Sequence, residues 1–392
     1  MSSDVFLTDA HWRKSLAAVR ALGVNGIRIT AGESTRLATT AFSRYCHRTV
    51  VYPSPLFNPA KFVSFLLREL SRHSYQMLLP MEDETTFLIS KFHSEFSRRT
   101  YLPIPSFEKL QFANRKDKIL KLAEDKGIPI PKTWYIDDIT QLNDLKASLP
   151  YPVVIKPKNS AGAVGVSYPK NSDELIKQYL TVHRRFPYPL IQERIPSHGN
   201  GYGASFLMGK SGDVKASFVH KRLREYPVTG GASTLRESVR NDDVRDMAHT
   251  LLKALDWFGV AMVEFKMDPR DGIPKLMEIN PRFWGSLSLA VAAGVNFPYL
   301  LLKMSRGENF KPVEHYQIGK KCRWLLPGDI LHFIFNPKRM DLLPGFFNFW
   351  DKQTSYDILS LKDPLPILGR MLTPLTFLYD PDMKHRLKQR TK

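Results

Sequence analysis

The stretch LMEINPR, residues 276–282, places an acid and an amide in an otherwise apolar strand. Alternation along a β-strand turns Glu278 and Asn280 to the same face. A second apolar stretch, AMVEFK at residues 261–266, carries Glu264 in its middle, and a short turn separates the two stretches. If that turn pairs the strands as a hairpin, all three oxygen-bearing side chains converge on one face.

Two carboxylates and an amide form a donor set that suits Mg²⁺, which completes its octahedron with phosphates and water. The sequence therefore predicts Glu264, Glu278 and Asn280 as metal ligands. The plainer alternative is a pair of strand acids neutralised by neighbours such as Lys266, or exposed at a sheet edge. The large apolar residues around both acids favour the metal site. Arg282 follows directly and can hold phosphate oxygens with two parallel hydrogen bonds, although an ordinary surface arginine is the alternative.

A lysine ends another apolar strand, VVIK at residues 153–156, and burying Lys156 is costly unless an anion pairs with it. The loop that follows contains Ser160, Gly162 and Gly165, and missing side chains let backbone N–H groups approach phosphate oxygens. No helix follows these glycines, so the loop is neither a Walker A nor a dinucleotide motif. Taken singly, these features are equally typical of a hairpin with an edge lysine.

The third cluster is HKRLREY, residues 220–226, which leads into a loop containing Gly230 and Gly231. A charge run of this kind is usually a solvated face. Loops rich in proline and glycine are, however, the type of segment that closes over reacting groups. We therefore predict that His220, Arg222 and Arg224 bind an anion at a reaction centre.

Charge and composition narrow the class of protein. The 392 residues include 57 Lys and Arg against 38 Asp and Glu, a formal net charge of +19 that indicates an anionic partner without selecting one. No nucleic-acid-binding motif accompanies the charge, so nucleic acid is not an expected partner. Two distant cysteines, Cys46 and Cys322, argue against zinc and disulfides and predict a reducing cytoplasm. No signal peptide or membrane-spanning run is apparent.

Alternating strand and helix patterns over residues 4–98 predict a small doubly wound α/β domain. Later segments, with a helix from Asp242, predict an antiparallel sheet that begins at Leu190–Glu193. The pattern weakens after about Pro312. The predicted domains are residues 1–112, 113–188, 189–312 and 313–392.

In their order, these segments resemble the ATP-grasp superfamily of carboxylate ligases, which includes biotin carboxylase, D-alanine:D-alanine ligase and the large subunit of carbamoyl-phosphate synthase. The resemblance covers about Phe112 to Val295, and residues 4–98 resemble the α/β domain that precedes the grasp. It implies a mixed α/β and α+β fold. A doubly wound pre-ATP-grasp domain would precede a two-lobed ATP-grasp domain, with a small lobe, a large lobe and then a C-terminal extension.

The resemblance also implies ligands and their residues. The expected cofactors are ATP and Mg²⁺, with Mn²⁺ as the alternative ion. Several relatives carry an acid for the ribose hydroxyls after the hinge, where residues 199–203 offer none, so Glu193 is the candidate for that contact. The implied positions are Lys118 and Lys156 at the phosphates, Ser160, Gly162 and Gly165 in a lid, Gln192, Glu193, Arg194 and Ile195 at the adenine hinge, Glu264, Glu278 and Asn280 on the metal, and Arg282 on phosphate.

The implied reaction transfers the γ-phosphoryl group of ATP to a small-molecule carboxylate, and an amine or similar nucleophile then displaces phosphate from the acyl phosphate. Lys156 and Arg282 would stabilise the transferring group, while His220, Arg222 and Arg224 orient the carboxylate. The glycine loops would exclude water from the intermediate. The alternative is a protein that binds ATP without turnover, as a sensor or scaffold.

Residues 344–392 combine aromatic and aliphatic residues with a basic run from Lys384 to Lys392. This composition is typical of peripheral contact with a membrane surface. Packing of the same residues on the ATP-grasp body is the alternative, and we favour it. The sequence predicts no oligomeric state.

Overall fold

Three β-sheets organise the chain in a computed structural model that describes residues 4–159, 164–196, 200–228 and 230–385. The sheets have four, three and seven strands. Ser160 and Gly162 of the predicted lid lie outside the described residues. The mixture of parallel and antiparallel sheets agrees with the predicted mixed α/β class.

The first sheet is parallel and has the strand order β3-β2-β1-β4. Period-two alternation sends Val5 and Leu7 to a core shared with the first helix, and Phe6 to a second core on the opposite face. Helices thus cover both faces, as the alternating pattern predicts. The elements are β1 (Val5–Leu7), α1 (Arg13–Gly23), β2 (Ile29–Glu33), a 3-10 helix (Thr39–Phe42), β3 (Cys46–Val51), α2 (Pro59–Arg72), β4 (Met77–Leu79), α3 (Asp83–Lys91) and α4 (His93–Ser97).

The three-stranded sheet is antiparallel, and two helices precede it. Its elements, with those helices, are α5 (Phe107–Asn114), α6 (Lys116–Asp125), β5 (Thr133–Trp134), α7 (Gln141–Leu145), β6 (Val153–Lys156), α8 (Ser172–Arg185) and β7 (Leu190–Glu193). Strand β7 pairs with β5 on one side and β6 on the other. The prediction that Leu190–Glu193 begins the larger sheet is therefore wrong, because this strand completes the smaller one.

The seven-stranded sheet runs in the order β12-β11-β8-β9-β10-β13-β14 and is antiparallel except for its last pair. Helix α1 packs against its helices α10 and α11, which joins the first sheet to the third. The elements are β8 (Gly201–Met208), β9 (Val214–Tyr226), β10 (Ala232–Ser238), α9 (Asp242–Ala254), β11 (Gly259–Met267), β12 (Pro274–Asn280), α10 (Leu287–Ala292), α11 (Phe297–Ser305), β13 (Lys321–Arg323), a π-helical turn (Leu325–Asp329), α12 (Ile330–Phe335), a 3-10 helix (Arg339–Asp341), β14 (Thr354–Tyr356) and α13 (Pro366–Tyr379).

The charged cluster at residues 220–226 belongs to a regular strand. Strand β9 continues to Tyr226, and β10 begins at Ala232, so the glycine-containing segment between them is a hairpin connection. Gly230 has a φ of 134°, a conformation that favours glycine. The loop that we expect to close over reacting groups is therefore the turn of a hairpin.

The predicted C-terminal extension is not separate from the sheet. Strands β13 and β14 pair beside β10, and Asp357 at the end of β14 binds Arg236 of β10 and Ser288 of α10. Arg13 of the first domain lies 3.6 Å from the same carboxylate. The predicted boundary at residue 313 thus divides a continuous sheet, which a weak sequence pattern could not reveal.

Aromatic residues of the C-terminal segment divide into two groups. The rings of Phe346 and Phe349 lie under the guanidinium of Arg323, at 4.5 and 4.8 Å. Trp350 and Phe347 are 92% and 66% exposed. The predicted packing on the body therefore holds for part of this segment only. Within the described ranges, no helix is both long and apolar enough to cross a membrane.

Replacing Asp357 with asparagine should destabilise the protein strongly. Arg236 and Arg13 outweigh burial and hold the pKa of Asp357 below its ordinary value, so the carboxylate is the buried counter-ion of both. Removing one partner of such a pair costs roughly 3–5 kcal/mol. The midpoint of unfolding in urea should fall accordingly. Asp246→Asn, which loses an exposed 2.8 Å pair with Arg245, should cost at most about 1 kcal/mol. Equal effects of the two changes would contradict this account.

Candidate functional site

The hairpin of β11 and β12 forms as the sequence predicts and brings the two acids face to face. Glu264 and Glu278 are directly opposite each other in the register, and Asn280 pairs with Met262 two residues further along. The amide Nδ2 of Asn280 donates to Oε1 of Glu264 at 3.0 Å, which leaves its carbonyl oxygen as an acceptor on the same side. The three predicted donors therefore share one face.

Two cations from different parts of the chain neutralise this acidic pair. Arg222 of β9 binds Oε2 of Glu264, and Nζ of Lys116 lies 3.0 Å from Oε2 of Glu278. Burial and the charge of Glu278 raise the pKa of Glu264 against the effect of Arg222. Burial also opposes ionisation of Glu278, but Lys116, Lys156 and Arg222 outweigh it and lower its pKa. The pair is thus held in a strongly cationic setting.

Lys116, and not Lys118, is the lysine of α6 that reaches the acidic pair. Lys118 is exposed and lies 5.5 Å from the ring of Phe112, whereas Lys116 contacts Glu278. The buried stripe of α6 consists of Ile119, Leu120 and Ala123, spaced three, four and seven residues after Lys116. Helical periodicity alone could have shown that residue 116 faces inward and residue 118 does not.

Lys156 reaches from the three-stranded sheet to the hairpin. Its Nζ donates to Oε1 of Gln192 at 2.8 Å and lies 3.9 Å from Sδ of Met277, beside Glu278. Burial and the charge of Lys116 lower the pKa of Lys156 to about 8. Lys156 is half-buried beside the acidic pair, and its binding to an anion stays a prediction.

The predicted hinge, residues 192–195, leads from β7 toward β8. The side chain of Glu193 accepts from the backbone N–H of Lys132 at 2.9 Å and from Arg270 at 2.7 Å, so its carboxylate is already engaged. The guanidinium of Arg194 lies over the ring of Tyr168 at 5.2 Å. The backbone oxygen of Ile195 accepts from Lys266 at 3.4 Å. These contacts hold residues 193–195 in place.

Arg282 is held by a carboxylate of the first domain that the sequence analysis did not identify. Its Nε and Nη2 lie 2.8 and 2.9 Å from the two oxygens of Asp83, in a bidentate pair. Burial opposes ionisation of Asp83, but Arg282 outweighs it and lowers the pKa of the carboxyl. The pair fixes the guanidinium of Arg282 two residues after Asn280, the last predicted metal ligand of β12.

A small network of hydrogen bonds and ion pairs lies beside Asp83 and positions its carboxylate. Nζ of Lys14 lies 2.9 Å from Glu82 and 3.2 Å from the backbone oxygen of Phe283, while Asp9 accepts from the backbone N–H of Glu82 at 3.0 Å. Asp9 follows β1, and Glu82 and Asp83 follow β4. Because ligands of doubly wound sheets bind outside the carboxyl ends of the strands, the positions of these acids were the signal that sequence reasoning overlooked.

The three members of the 220–224 cluster have different surroundings. His220 is buried, and its Nε2 lies 3.2 Å from Oγ of Ser286. Burial and the charges of two arginines lower its pKa well below the ordinary value, so the ring is neutral. Arg222 contacts Glu264, but Nε of Arg224 lies 3.1 Å from Asp329. The structure therefore brings Arg222 to the acidic pair and ties Arg224 to the C-terminal segment.

Glycine is required at two positions near this face. A Cβ on Gly203 would lie 2.3 Å from Cε1 of His220, so the missing side chain makes room for the ring. Gly165, the described member of the predicted lid, has a φ of 74°, and a Cβ there would lie 2.7 Å from Phe186. Both substitutions would force displacement of a ring.

The donor set is compatible with a divalent cation that takes its remaining ligands from elsewhere. Among the described residues, no group of three or more His, Cys, Asp and Glu side chains is close enough to hold a metal. Glu264, Glu278 and Asn280 supply two carboxylates and an amide oxygen. Magnesium accepts such a partial set when phosphates and water complete the shell.

One small cavity joins the first domain to the hairpin. It is lined by Asp83, Ala113, Asn114, Lys116, Ile119, Glu278, Ile279, Asn280 and Pro281. A larger cavity of about 390 Å³ lies around His93, Tyr101 and Phe258, and its lining contains none of the predicted site residues. Lys116, Glu278 and Asn280 therefore line the smaller of the two.

Comparisons with known proteins bear on the resemblance to a family. A family model described as "ATP-grasp in the biosynthetic pathway with Ter operon" matches residues 212–325. The D-aspartate ligase of Enterococcus faecium is 25% identical over 292 residues, which cover 67% of each chain. The carbamoyl phosphate synthase large chain of Thermotoga neapolitana is 22% identical over 323 residues, 78% of this chain. The chain spans only 28% of that relative.

Solved structures share the fold at low sequence identity. The biotin carboxylase domain of Hydrogenobacter thermophilus 2-oxoglutarate carboxylase, in complex with MgADP, ADP and bicarbonate, matches with a TM-score of 0.67 and 13% identity, over 82% of this chain and 74% of that one. N5-carboxyaminoimidazole synthetase from Staphylococcus aureus matches with a TM-score of 0.63 and 10% identity, over 81% and 80%. The family match, the relatives and the fold all support the resemblance to ATP-grasp carboxylate ligases.

Proposed function

We propose that this protein is an ATP-dependent carboxylate ligase that proceeds through an acyl phosphate, which an amine or similar nucleophile attacks. The observation that carries the proposal is the acidic pair of the hairpin. Glu264 and Glu278 lie opposite each other, Asn280 binds Glu264, and cations from three parts of the chain surround them. Two half-buried acids placed side by side are costly to a fold unless positive charge balances them. Binding of a metal ion and a triphosphate would account for this arrangement of charges.

Each described residue has a proposed role. Glu264, Glu278 and Asn280 would hold Mg²⁺, which would neutralise charge on the phosphate oxygens when bound. Lys116 and Lys156, which come from different parts of the chain, would bind phosphate oxygens. Arg282, oriented by Asp83, would meet the group in transfer.

The substrate carboxylate is proposed to meet Arg222 rather than all three members of the 220–224 cluster. The charges of Glu264 and Glu225 outweigh burial and raise the pKa of Arg222, so it stays cationic. His220 is neutral, which limits it to a hydrogen-bonding or positioning role. Arg224 is proposed to act through the structure only, because its contacts are with Asp329.

The comparisons support the reaction class and leave the substrate open. Printed names of relatives include a D-aspartate ligase and carbamoyl phosphate synthases, and a structural neighbour holds MgADP and bicarbonate. These favour ATP and Mg²⁺ and give no support to Mn²⁺. A screen of ADP release across D- and L-amino acids, dipeptides and sugar acids, beginning with D-aspartate, would identify the acid and its nucleophile.

Glu278→Gln should abolish turnover while the protein stays folded. The change keeps the shape of the side chain but removes one of two carboxylates from the proposed metal site. ADP release should fall at least about 100-fold, the scale seen when one electrostatic contact to a transition state is lost. Glu237→Gln, on strand β10 of the same sheet, is the matched control and should retain activity. Unchanged ADP release in Glu278→Gln would defeat the ligase assignment, and MgATP binding without turnover in the wild type would favour the sensor alternative.

Lys116→Ala and Lys118→Ala should separate the two candidate phosphate lysines. Loss of a charged hydrogen bond to a phosphate should raise the KM for ATP about 10- to 100-fold in the first variant. The second variant loses an exposed side chain over Phe112 and should behave as wild type. Initial rates at varied ATP concentration measure both values. The opposite ranking would restore the assignment made from the sequence.

Nucleotide affinity should weaken as the pH rises above about 8. Lys156 is cationic below its pKa of about 8 and neutral above it, and phosphate binds the cationic form. The Kd for MgADP should therefore rise about tenfold per pH unit above that value until the pKa of the complex is reached. Calorimetric titrations near pH 7 and near pH 9 measure the change. Lys156→Arg should flatten the dependence, and an identical rise in that variant would exclude Lys156 as its cause.

A further inference from the structure

Helix α13 presents its small and polar side to the protein and its large apolar side to the outside. The buried positions are Pro366, Gly369, Thr373 and Thr376. The exposed positions include Leu368 at 48%, Met371 at 66%, Leu375 at 46% and Leu378 at 73%. A surface helix normally buries its large apolar residues, so this helix has the reverse orientation.

Close packing fixes that orientation. A Cβ on Gly369 would lie 2.6 Å from the ring of Phe42, so only glycine allows the helix to approach this closely. Hydroxyl oxygens of Thr35 and Tyr379 lie 2.6 Å apart, and Ser34 donates to Asp380 at 2.9 Å. The helix is therefore anchored to the first domain along its length and cannot turn its leucines inward without losing these contacts.

Charge is divided between the two sides in the same way. The acids that flank the helix point inward, since Asp363 binds Arg20 at 2.8 Å and Asp380 and Asp382 are each 2% exposed. The lysines that flank it, Lys362 and Lys384, are exposed. From Lys384 to residue 392 the sequence carries five basic residues and no acid. The outward face is thus apolar in the middle and cationic at its ends.

A negatively charged membrane surface matches both properties at once. Acyl chains accept leucine and methionine, and anionic headgroups attract lysine and arginine. A second copy of this chain would bring cationic ends against cationic ends and would be repelled. At 14 residues, or about 21 Å, the helix is too short to span a bilayer and long enough to lie along its surface.

We propose that α13 docks this protein on anionic membrane surfaces, with Leu368, Met371, Leu375 and Leu378 inserted at the boundary between headgroups and acyl chains. Phe57, which is 49% exposed and has its ring 5.8 Å from that of His385, extends the docking face beyond the end of α13. The inference is independent of the proposed ligase activity. It requires only a preformed helix whose apolar face is already exposed.

Vesicle flotation of the full chain tests the proposal. The wild type should float with vesicles of phosphatidylcholine and phosphatidylglycerol, and much less with phosphatidylcholine alone. Met371→Glu combined with Leu375→Glu should lower partitioning at least about tenfold, because two charges would enter the apolar layer. Val24→Glu combined with Ile318→Glu is the matched control, since these residues are 62% and 53% exposed elsewhere, and it should float as wild type.

Charge reversal tests the second half of the proposal. Lys362→Glu combined with Lys384→Glu should weaken binding to anionic vesicles about tenfold or more, and added salt should weaken wild-type binding. All altered positions are exposed, so melting temperatures should stay near the wild-type value. Equal flotation of the Met371→Glu, Leu375→Glu variant would overturn the proposal. So would failure to float together with a concentration-dependent dimer that this variant abolishes, which would identify a second copy as the occupant.

Discussion

The structure depends on two carboxylates that the fold forces to face each other. Glu264 and Glu278 are cross-strand neighbours in a hairpin whose other side packs into a core, so neither can move away without breaking the register. Two such acids in a half-buried place resist ionising together unless cations approach. This requirement explains why residues from distant parts of the chain converge on one short hairpin.

Each cation comes from a different structural unit. Lys116 begins the helix that follows the first domain, Lys156 ends a strand of the small sheet, and Arg222 lies on β9 of the large sheet. The first domain adds Asp83, which orients Arg282. The electrostatic field at the hairpin therefore depends on how these units are placed relative to one another.

Local patterns were readable from the sequence, and partnerships between distant segments were not. Period-two alternation located the β11–β12 hairpin and the common face of its donors, because register follows from a single turn. Alternation could not assign Leu190–Glu193 to a sheet, because the sequence of a four-residue strand does not indicate which strand it pairs with. For the same reason the pairing of β13 with β10, and of Asp83 with Arg282, became apparent only in three dimensions. The inward orientation of Lys116, by contrast, could have been predicted from helical spacing.

The reversed helix α13 shows a further limit of composition. Its sequence is apolar and precedes a basic run, which indicates affinity for membranes but also suits burial in a core. Small residues decide between the two outcomes. Gly369, Thr373 and Thr376 lie on one stripe, and the close contact with Phe42 that Gly369 permits makes that stripe the inner face. The leucines are turned outward as a consequence. The small residues of the inner face, rather than the large residues of the outer face, thus determine where the proposed binding surface forms.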